Sequence, residues 1–125
     1  MDTYRLGAVE SRFADLIWQH EPLSSRDLVE LAEKELGWKK STTYTVLKKL
    51  SDRGIFKNED GTVSSVLGKE EFYSLQSESV VNHSFNGSLP AFINSYISCK
   101  SLTKEDLFEI KKLIVEIEKT IIVKQ

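Results

Sequence analysis

Gly37-Trp38-Lys39-Lys40-Ser41-Thr42-Thr43-Tyr44-Thr45-Val46-Leu47-Lys48-Lys49-Leu50-Ser51-Asp52-Arg53-Gly54 is the stretch on which the fold turns. It holds a helix between two glycines, with Ser41 or Thr42 placed to cap its start and Gly54 to end it just past Arg53. On the 3.6-residue period of a helix, Thr43, Val46, Leu47 and Leu50 share an inner face. Ser41, Thr42, Tyr44, Thr45, Lys48 and Lys49 are left pointing outward. Charge gathers on the same segment. From Trp38 to Lys57, six basic residues (Lys39, Lys40, Lys48, Lys49, Arg53 and Lys57) stand against one acid, Asp52. Six minus one gives +5 in a chain whose formal total is −2, so the remainder sums to −7. Hydroxyls and a phenol can reach base edges or phosphate oxygens, and lysines neutralise phosphate, so this face suits the major groove of DNA. Capping alone does not call for so dense a run of hydroxyls.

Toward the N-terminus, Val9, Phe13, Leu16 and Ile17 keep helical spacing from about Gly7 to His20, and Pro22 closes that helix. Ser24 with Asp27 resembles a capping box and opens a second helix, which buries Leu28, Leu31, Ala32 and Leu36 and stops at Gly37. Toward the C-terminus, Ile55-Phe56-Lys57 and Thr62-Val63-Ser64-Ser65-Val66-Leu67 are β-prone, and Asn58-Glu59-Asp60-Gly61 joins them as a hairpin. Three helices followed by a hairpin is the order of a winged helix-turn-helix. Trp18 and Trp38 are expected to close its small core. Beyond Gly68, Lys69 to about Ser84 reads as a helix through Phe72, Leu75 and Val80, and Leu89 to Ile97 as a short apolar helix with Pro90 in its first turn. The last helix carries a Thr103 cap, Asp106 at the capping-box position and a Leu102–Leu107 staple. Its Leu107, Ile110, Ile114, Ile117 and Ile121 are spaced 3, 4, 3 and 4. That heptad seam is too short for a coiled coil alone and suits packing against a partner helix. The expected class is mainly α with a small β-hairpin wing. Residues 1–68 form a winged helix-turn-helix DNA-binding domain and residues 69–125 a helical dimerisation domain, with the boundary near Gly68.

Composition excludes several classes. A chain of 125 residues, 40% hydrophobic and 29% charged, has the makeup of a globular protein. The lone Cys99 excludes an internal disulfide framework and a Cys-rich zinc site, and it reads as a buried or half-buried structural thiol. His20 and His83 stand far apart, so no metal and no cofactor is expected. Asp27, Glu30, Glu33 and Glu35 lie along one short surface beside Arg26 and Lys34. Acid–base chemistry needs carboxyls arranged across a cleft, so this is a solvated face. No G-x-S-x-G elbow is present, and the chain reads as a non-enzyme. It lacks an apolar run of spanning length, and Met1-Asp2-Thr3-Tyr4-Arg5 lacks the apolar core of a signal peptide. A cytoplasmic location without membrane insertion is therefore expected.

Glu10 followed by Ile17-Trp18, then the stretch from Gly37 to Leu50 and Asp52-Arg53-Gly54, resembles the penicillinase-repressor family. Phe85-Asn86-Gly87-Ser88-Leu89, followed by a short apolar helix and a final amphipathic one, is similar to that family's dimerisation region. The resemblance covers nearly the whole chain, and its specific part is the Trp and the Thr-Tyr-Thr of the third helix. It implies a homodimeric transcriptional repressor whose winged helix enters the major groove of an inverted-repeat operator, with C-terminal helices interlocked across a two-fold axis. Members of the penicillinase and methicillin-resistance type repress β-lactam-resistance genes and are inactivated by proteolysis once a membrane sensor detects antibiotic. Three departures stand out. Copper-responsive relatives carry C-terminal Cys-x-Cys motifs, whereas this chain ends Thr120-Ile121-Ile122-Val123-Lys124-Gln125, which disfavours copper sensing. The proteolysed members are cut at an Asn-Phe bond, a dipeptide missing from Pro90-Ala91-Phe92-Ile93-Asn94-Ser95-Tyr96. The family's wing is usually basic and aromatic, while this one has an acidic tip at Glu59-Asp60 and is expected to contribute little to DNA binding.

On this reading Lys39, Lys40, Ser41, Thr42, Tyr44 and Thr45 contact base edges and nearby phosphates, and Lys48, Lys49 and Arg53 contact phosphates farther along. The dimer interface rests on Leu107, Ile110, Ile114, Ile117 and Ile121, with Leu89, Phe92, Ile93 and Tyr96 packing across or beneath them. The expected partners are an inverted repeat of double-stranded DNA, a second copy of the chain and an inactivating protease linked to a membrane sensor. The regulated genes are those of β-lactam resistance or a related stress. A second reading is a winged-helix protein-interaction module without operator binding. The acidic wing favours it and the hydroxyl-rich basic helix argues against it.

Overall fold

The computed structural model describes residues 4–124, and places them in α1 (Ala8–His20), β1 (Leu23–Ser24), α2 (Ser25–Leu36), α3 (Lys40–Asp52), β2 (Phe56–Glu59), β3 (Thr62–Ser65), α4 (Lys69–Ser84), α5 (Leu89–Cys99) and α6 (Lys104–Lys124). Met1, Asp2, Thr3 and Gln125 lie outside the described residues, so the signal-peptide reading of the first residues finds no counterpart there. Helix starts follow from local chemistry. Glu10 Oε1 accepts the Gly7 N–H at 3.1 Å at the head of α1, and Ser24 Oγ accepts the Asp27 N–H at 3.0 Å at the head of α2. α2 ends at Gly37, whose φ of 69° is the left-handed conformation that a Cβ disfavours. α3 begins earlier than its hydroxyls suggest: the N-cap is Lys39, without a side-chain cap bond, and not Ser41 or Thr42. With the helix under way at Lys40, both hydroxyls fall inside its first turn as surface groups.

The wing is a three-stranded antiparallel sheet in the order β1-β3-β2. β1 is not expected from sequence; it pairs Leu23 with Val63 and Ser24 with Thr62. β2 extends through Asn58 and Glu59, so the connection shrinks to Asp60-Gly61, with φ of 51° and 83°. Two successive positive φ values are what a tight hairpin turn requires to match strand twist.

Phe13, Ala14 and Ile17 of α1, Leu28 and Ala32 of α2, Leu47 and Leu50 of α3, and Ile55, Phe56 and Val63 around the sheet form one buried cluster with Phe72 of α4. Val9 departs from expectation and is 49% exposed, because the inner face of α1 is centred one turn later. The two tryptophans close the core. Trp38 lies 5.0 Å from Phe13, and Trp18 lies 5.3 Å from Phe56 and 5.6 Å from Phe72, ring centre to ring centre. Trp18 Nε1 also donates to Leu67 O at 3.0 Å, so its polar tip is satisfied. The chain divides into two compact units, one ending at Val80 and one beginning at Val81. That division falls inside α4, beyond the Gly68 boundary suggested by sequence. The reason is Phe72: burying such a ring contributes about 3 kcal/mol, which ties the first half of α4 to the winged unit.

In the second unit, Ser88 Oγ accepts the Ala91 N–H at 3.1 Å and Thr103 Oγ1 accepts the Asp106 N–H at 3.0 Å, so both helices are capped. Phe85 and Phe92 meet edge to face at 5.4 Å. α5 runs past the expected end at Ile97 to Cys99, and none of its residues is buried. Cys99 is exposed, contrary to the expected buried or half-buried structural thiol, because no described residue packs over the C-terminal end of α5. No described helix is long and apolar enough to cross a membrane.

Candidate nucleic-acid interface

α3 divides as its period dictates. Thr43, Leu47 and Leu50 are buried and Val46 is half-buried, while Ser41, Thr42, Thr45, Lys48 and Lys49 are exposed. Tyr44 sits at the margin, 36% exposed. Thr43 Oγ1 turns back to donate to Lys39 O at 3.2 Å and so leaves the outer face.

The basic residues of this region differ in how free they are. Lys49 Nζ donates to Glu10 Oε2 at 2.8 Å, and Glu10 also carries the Gly7 N–H on its other oxygen. The Lys49 hydrogen bond first, and that of Gly7 second, hold the Glu10 carboxyl below its ordinary pKa. Arg53 Nη1 donates to Arg5 O at 2.9 Å. Both side chains therefore tie α3 to the N-terminal part of the chain. Lys48 reaches Asp52 at 3.2 Å one turn on, with 77% of its side chain exposed, and Lys57 reaches Glu59 at 3.4 Å. Exposed pairs of this kind are worth little and exchange readily for another anion. Lys39 and Lys40 are exposed and form no ion pair among the described residues. Uncompensated positive charge is thus concentrated at the N-terminal end of α3, beside Ser41 and Thr42. The N-terminal residues of a recognition helix are those that meet base edges.

Neighbouring elements add groups that the sequence did not single out. The Tyr44 hydroxyl donates to Ser25 Oγ at 3.1 Å. A concave surface lined by Ser24, Ser25, Arg26, Val29, Glu30, Lys40 and Tyr44 runs between the head of α2 and the head of α3. Another, lined by Tyr44, Leu47, Lys48, Ser51 and Asn58, joins α3 to β2. Ser25, Arg26 and Asn58 are the additions. Ser24-Ser25-Arg26 signals a helix start, but its approach to Tyr44 is set by tertiary packing. Glu59 and Asp60 are exposed at the hairpin tip, where their charge opposes phosphate.

The residues expected at a dimer interface lie in the second unit. Leu89, Ile93, Tyr96, Leu107, Ile114, Ile117 and Ile121 are exposed large apolar groups, and Phe92 and Ile110 are half-buried. Ile97, Phe108, Leu113, Val115 and Ile122 join them as exposed apolar residues outside the heptad seam. Among the described residues no cluster of three or more His, Cys, Asp or Glu side chains is placed to hold a metal ion.

The chain matches a family model described as penicillinase repressor over residues 6–116. It is similar to the penicillinase repressor of Bacillus licheniformis, with 20% identity over 116 residues that cover 90% of this chain and 91% of the relative. It is also similar to the methicillin resistance regulatory protein MecI of Staphylococcus aureus, with 18% identity over 90% of this chain and 94% of the relative. A MecI protein from Mammaliicoccus sciuri matches at 17% identity over the same shares.

Proposed function

Because the chain belongs to the penicillinase-repressor family, we propose that it is a homodimeric transcriptional repressor that holds an inverted-repeat operator through α3 of each copy. The observation that carries this reading is the outer face of α3, where Ser41, Thr42, Tyr44 and Thr45 stand exposed beside Lys39 and Lys40. Lys40, Ser41, Thr42 and Thr45 meet base edges and adjacent phosphates, and Lys39 and Lys48 neutralise phosphates. Lys49 and Arg53, held by Glu10 and the Arg5 carbonyl, act first as braces that fix the angle of α3. The exposed apolar faces of α5 and α6 pack against a second copy, so that two half-sites are engaged by one body and each raises the effective concentration of the other. The regulated genes are those of β-lactam resistance or a related stress; the relatives are named for penicillinase and for methicillin resistance. A protease linked to a membrane sensor is the proposed inactivating partner, acting at a bond other than Asn-Phe.

One observation favours a second reading, a winged-helix module that binds protein and not DNA: the exposed acids Glu59 and Asp60 at the wing tip. Genomic DNA retained by the purified chain near physiological salt separates the two. Enrichment of a short inverted repeat is the expected outcome, and the adjoining genes identify the regulated pathway. Retention of no sequence above background by a folded dimer would overturn the repressor reading and leave the interaction module.

A further inference from the structure

At Ser25, three parts of the proposed reading surface meet: the head of α2, the wing turn and α3. The Ser25 backbone N–H donates to Gly61 O in the wing turn at 2.8 Å, and its hydroxyl accepts from Tyr44 on α3 at 3.1 Å. Its neighbour Ser24 pairs with Thr62 across the sheet, and Ser24 Oγ is engaged by the Asp27 N–H. Two donors at the head of α2 therefore already have protein acceptors, and Asp27 adds a carboxylate to that first turn. An anion clamp at this helix head is disfavoured on both counts. What remains for the Ser25 hydroxyl is the phenol that approaches it from α3.

We propose that Tyr44 is a positioning residue of the DNA-reading surface, its hydroxyl engaged by Ser25 so that α3, the head of α2 and the wing turn move as one body. The inference rests on the DNA-binding reading above and assigns Tyr44 a role different from reading a base through its hydroxyl. A phenol engaged with the Ser25 hydroxyl at 3.1 Å would have to leave that bond before its hydroxyl could serve a base edge. Its ring, fixed before DNA arrives, removes rotor freedom that binding would otherwise have to freeze, and it holds Ser41, Thr42 and Thr45 of the same helix in register. The Tyr44–Ser25 bond spans 19 residues of sequence, so its loss loosens the head of α3 against the head of α2, while the shared core of Leu28, Ala32, Leu47 and Leu50 keeps both helices in place.

The test is a mutant cycle in the full chain: Tyr44→Phe, Ser25→Ala and the double variant. Ser25→Ala keeps the N–H that reaches Gly61. The probes are a duplex that the wild-type protein selects from a random-sequence pool and a mixed-sequence duplex of equal length, each titrated with salt. Each single variant is expected to lose about 3- to 10-fold in affinity for the selected duplex, and the double variant no more than the worse single one. Affinity for the mixed-sequence duplex and the salt slope should stay at wild type, because no phosphate contact is removed. A loss in Tyr44→Phe with Ser25→Ala at wild type would mean that the hydroxyl reads DNA itself, and would overturn the proposal. Additive losses, no loss in either single variant, or equal losses on both duplexes would overturn it as well. A wild type that selects no sequence removes the DNA-binding reading and this inference together, whereas selection by wild type with uncoupled variants removes only the inference.

Discussion

Lys48 and Lys49 are adjacent in sequence and sit in different surroundings. Lys49 bonds the Glu10 carboxylate at 2.8 Å, and that carboxylate also holds the first turn of α1 through Gly7. Lys48 meets only Asp52 on its own helix and is largely in water. Lys48→Ala is therefore expected to weaken DNA binding about equally across sequences and to reduce the salt slope by about one, with stability changed by less than about 0.5 kcal/mol. Salt-dependent titrations and urea unfolding read the two effects separately. Glu10→Gln should do the reverse, costing about 1 kcal/mol of stability near neutral pH through the weakened helix start and lost ion pair. Its sign with pH follows from the lowered carboxyl pKa. The stabilisation is complete above the ordinary value of 4.5 and is lost as pH falls through the lower folded value. Urea midpoints of wild type and Glu10→Gln should thus differ at pH 7 and converge in acid; a gap that persists unchanged into acid would rule out the carboxylate as its source.

At the scale of the elements, the wing tip carries charge that opposes phosphate. Glu59 and Asp60 stand exposed beyond Lys57, whose own charge is drawn to Glu59 at 3.4 Å. Glu59→Lys replaces a repelling group with an attracting one and frees Lys57. Affinity for any duplex should rise and the salt slope should steepen by up to about one unit. A fall in affinity instead would place the Glu59 carboxylate on a base donor. How legible each element is depends on whether its cause is local. α2 and α6 are readable because caps and apolar spacing agree within a few residues, and α1 because Phe13 and Ile17 keep helical spacing up to the stop at Pro22. β1 is not, since Leu23 and Ser24 carry no alternation and become a strand only because Val63 and Thr62 pair with them. α4 is readable as a helix but not as part of the winged unit, because its first half is placed by tertiary contacts such as Trp18 with Phe72 and Lys69 with Asp15. The candidate site divides the same way. The hydroxyl and lysine face of α3 follows from periodicity, whereas the partners of Tyr44, Lys49 and Arg53 stand 19, 39 and 48 residues away, a separation that no local pattern encodes.

At the scale of the whole molecule, the apolar surface of α6 is broader than its heptad seam. Phe108, Val115 and Ile122 recur every seven residues alongside Leu107, Ile114 and Ile121, and all six are exposed. A chain alone in water gains nothing from such a surface, and a second copy is the cover that the proposed two-fold repressor would supply. Ile114→Glu sets a carboxylate in the middle of the seam, where closing the interface would bury it unpaired. The expected result is a shift in sedimentation from the dimer toward a single 14.3 kDa chain at micromolar concentration. The buried cluster of the winged unit contains no residue of α6, so the α3 surface should persist in the variant. DNA binding should then fall to that of one half-site, a loss of about 100- to 10,000-fold on the inverted repeat with little change on an isolated half-site. A variant that stays dimeric would place the interface elsewhere. One that is monomeric yet holds the inverted repeat at wild-type affinity would separate operator binding from dimerisation, and the link between the exposed apolar face and repression would fail with it.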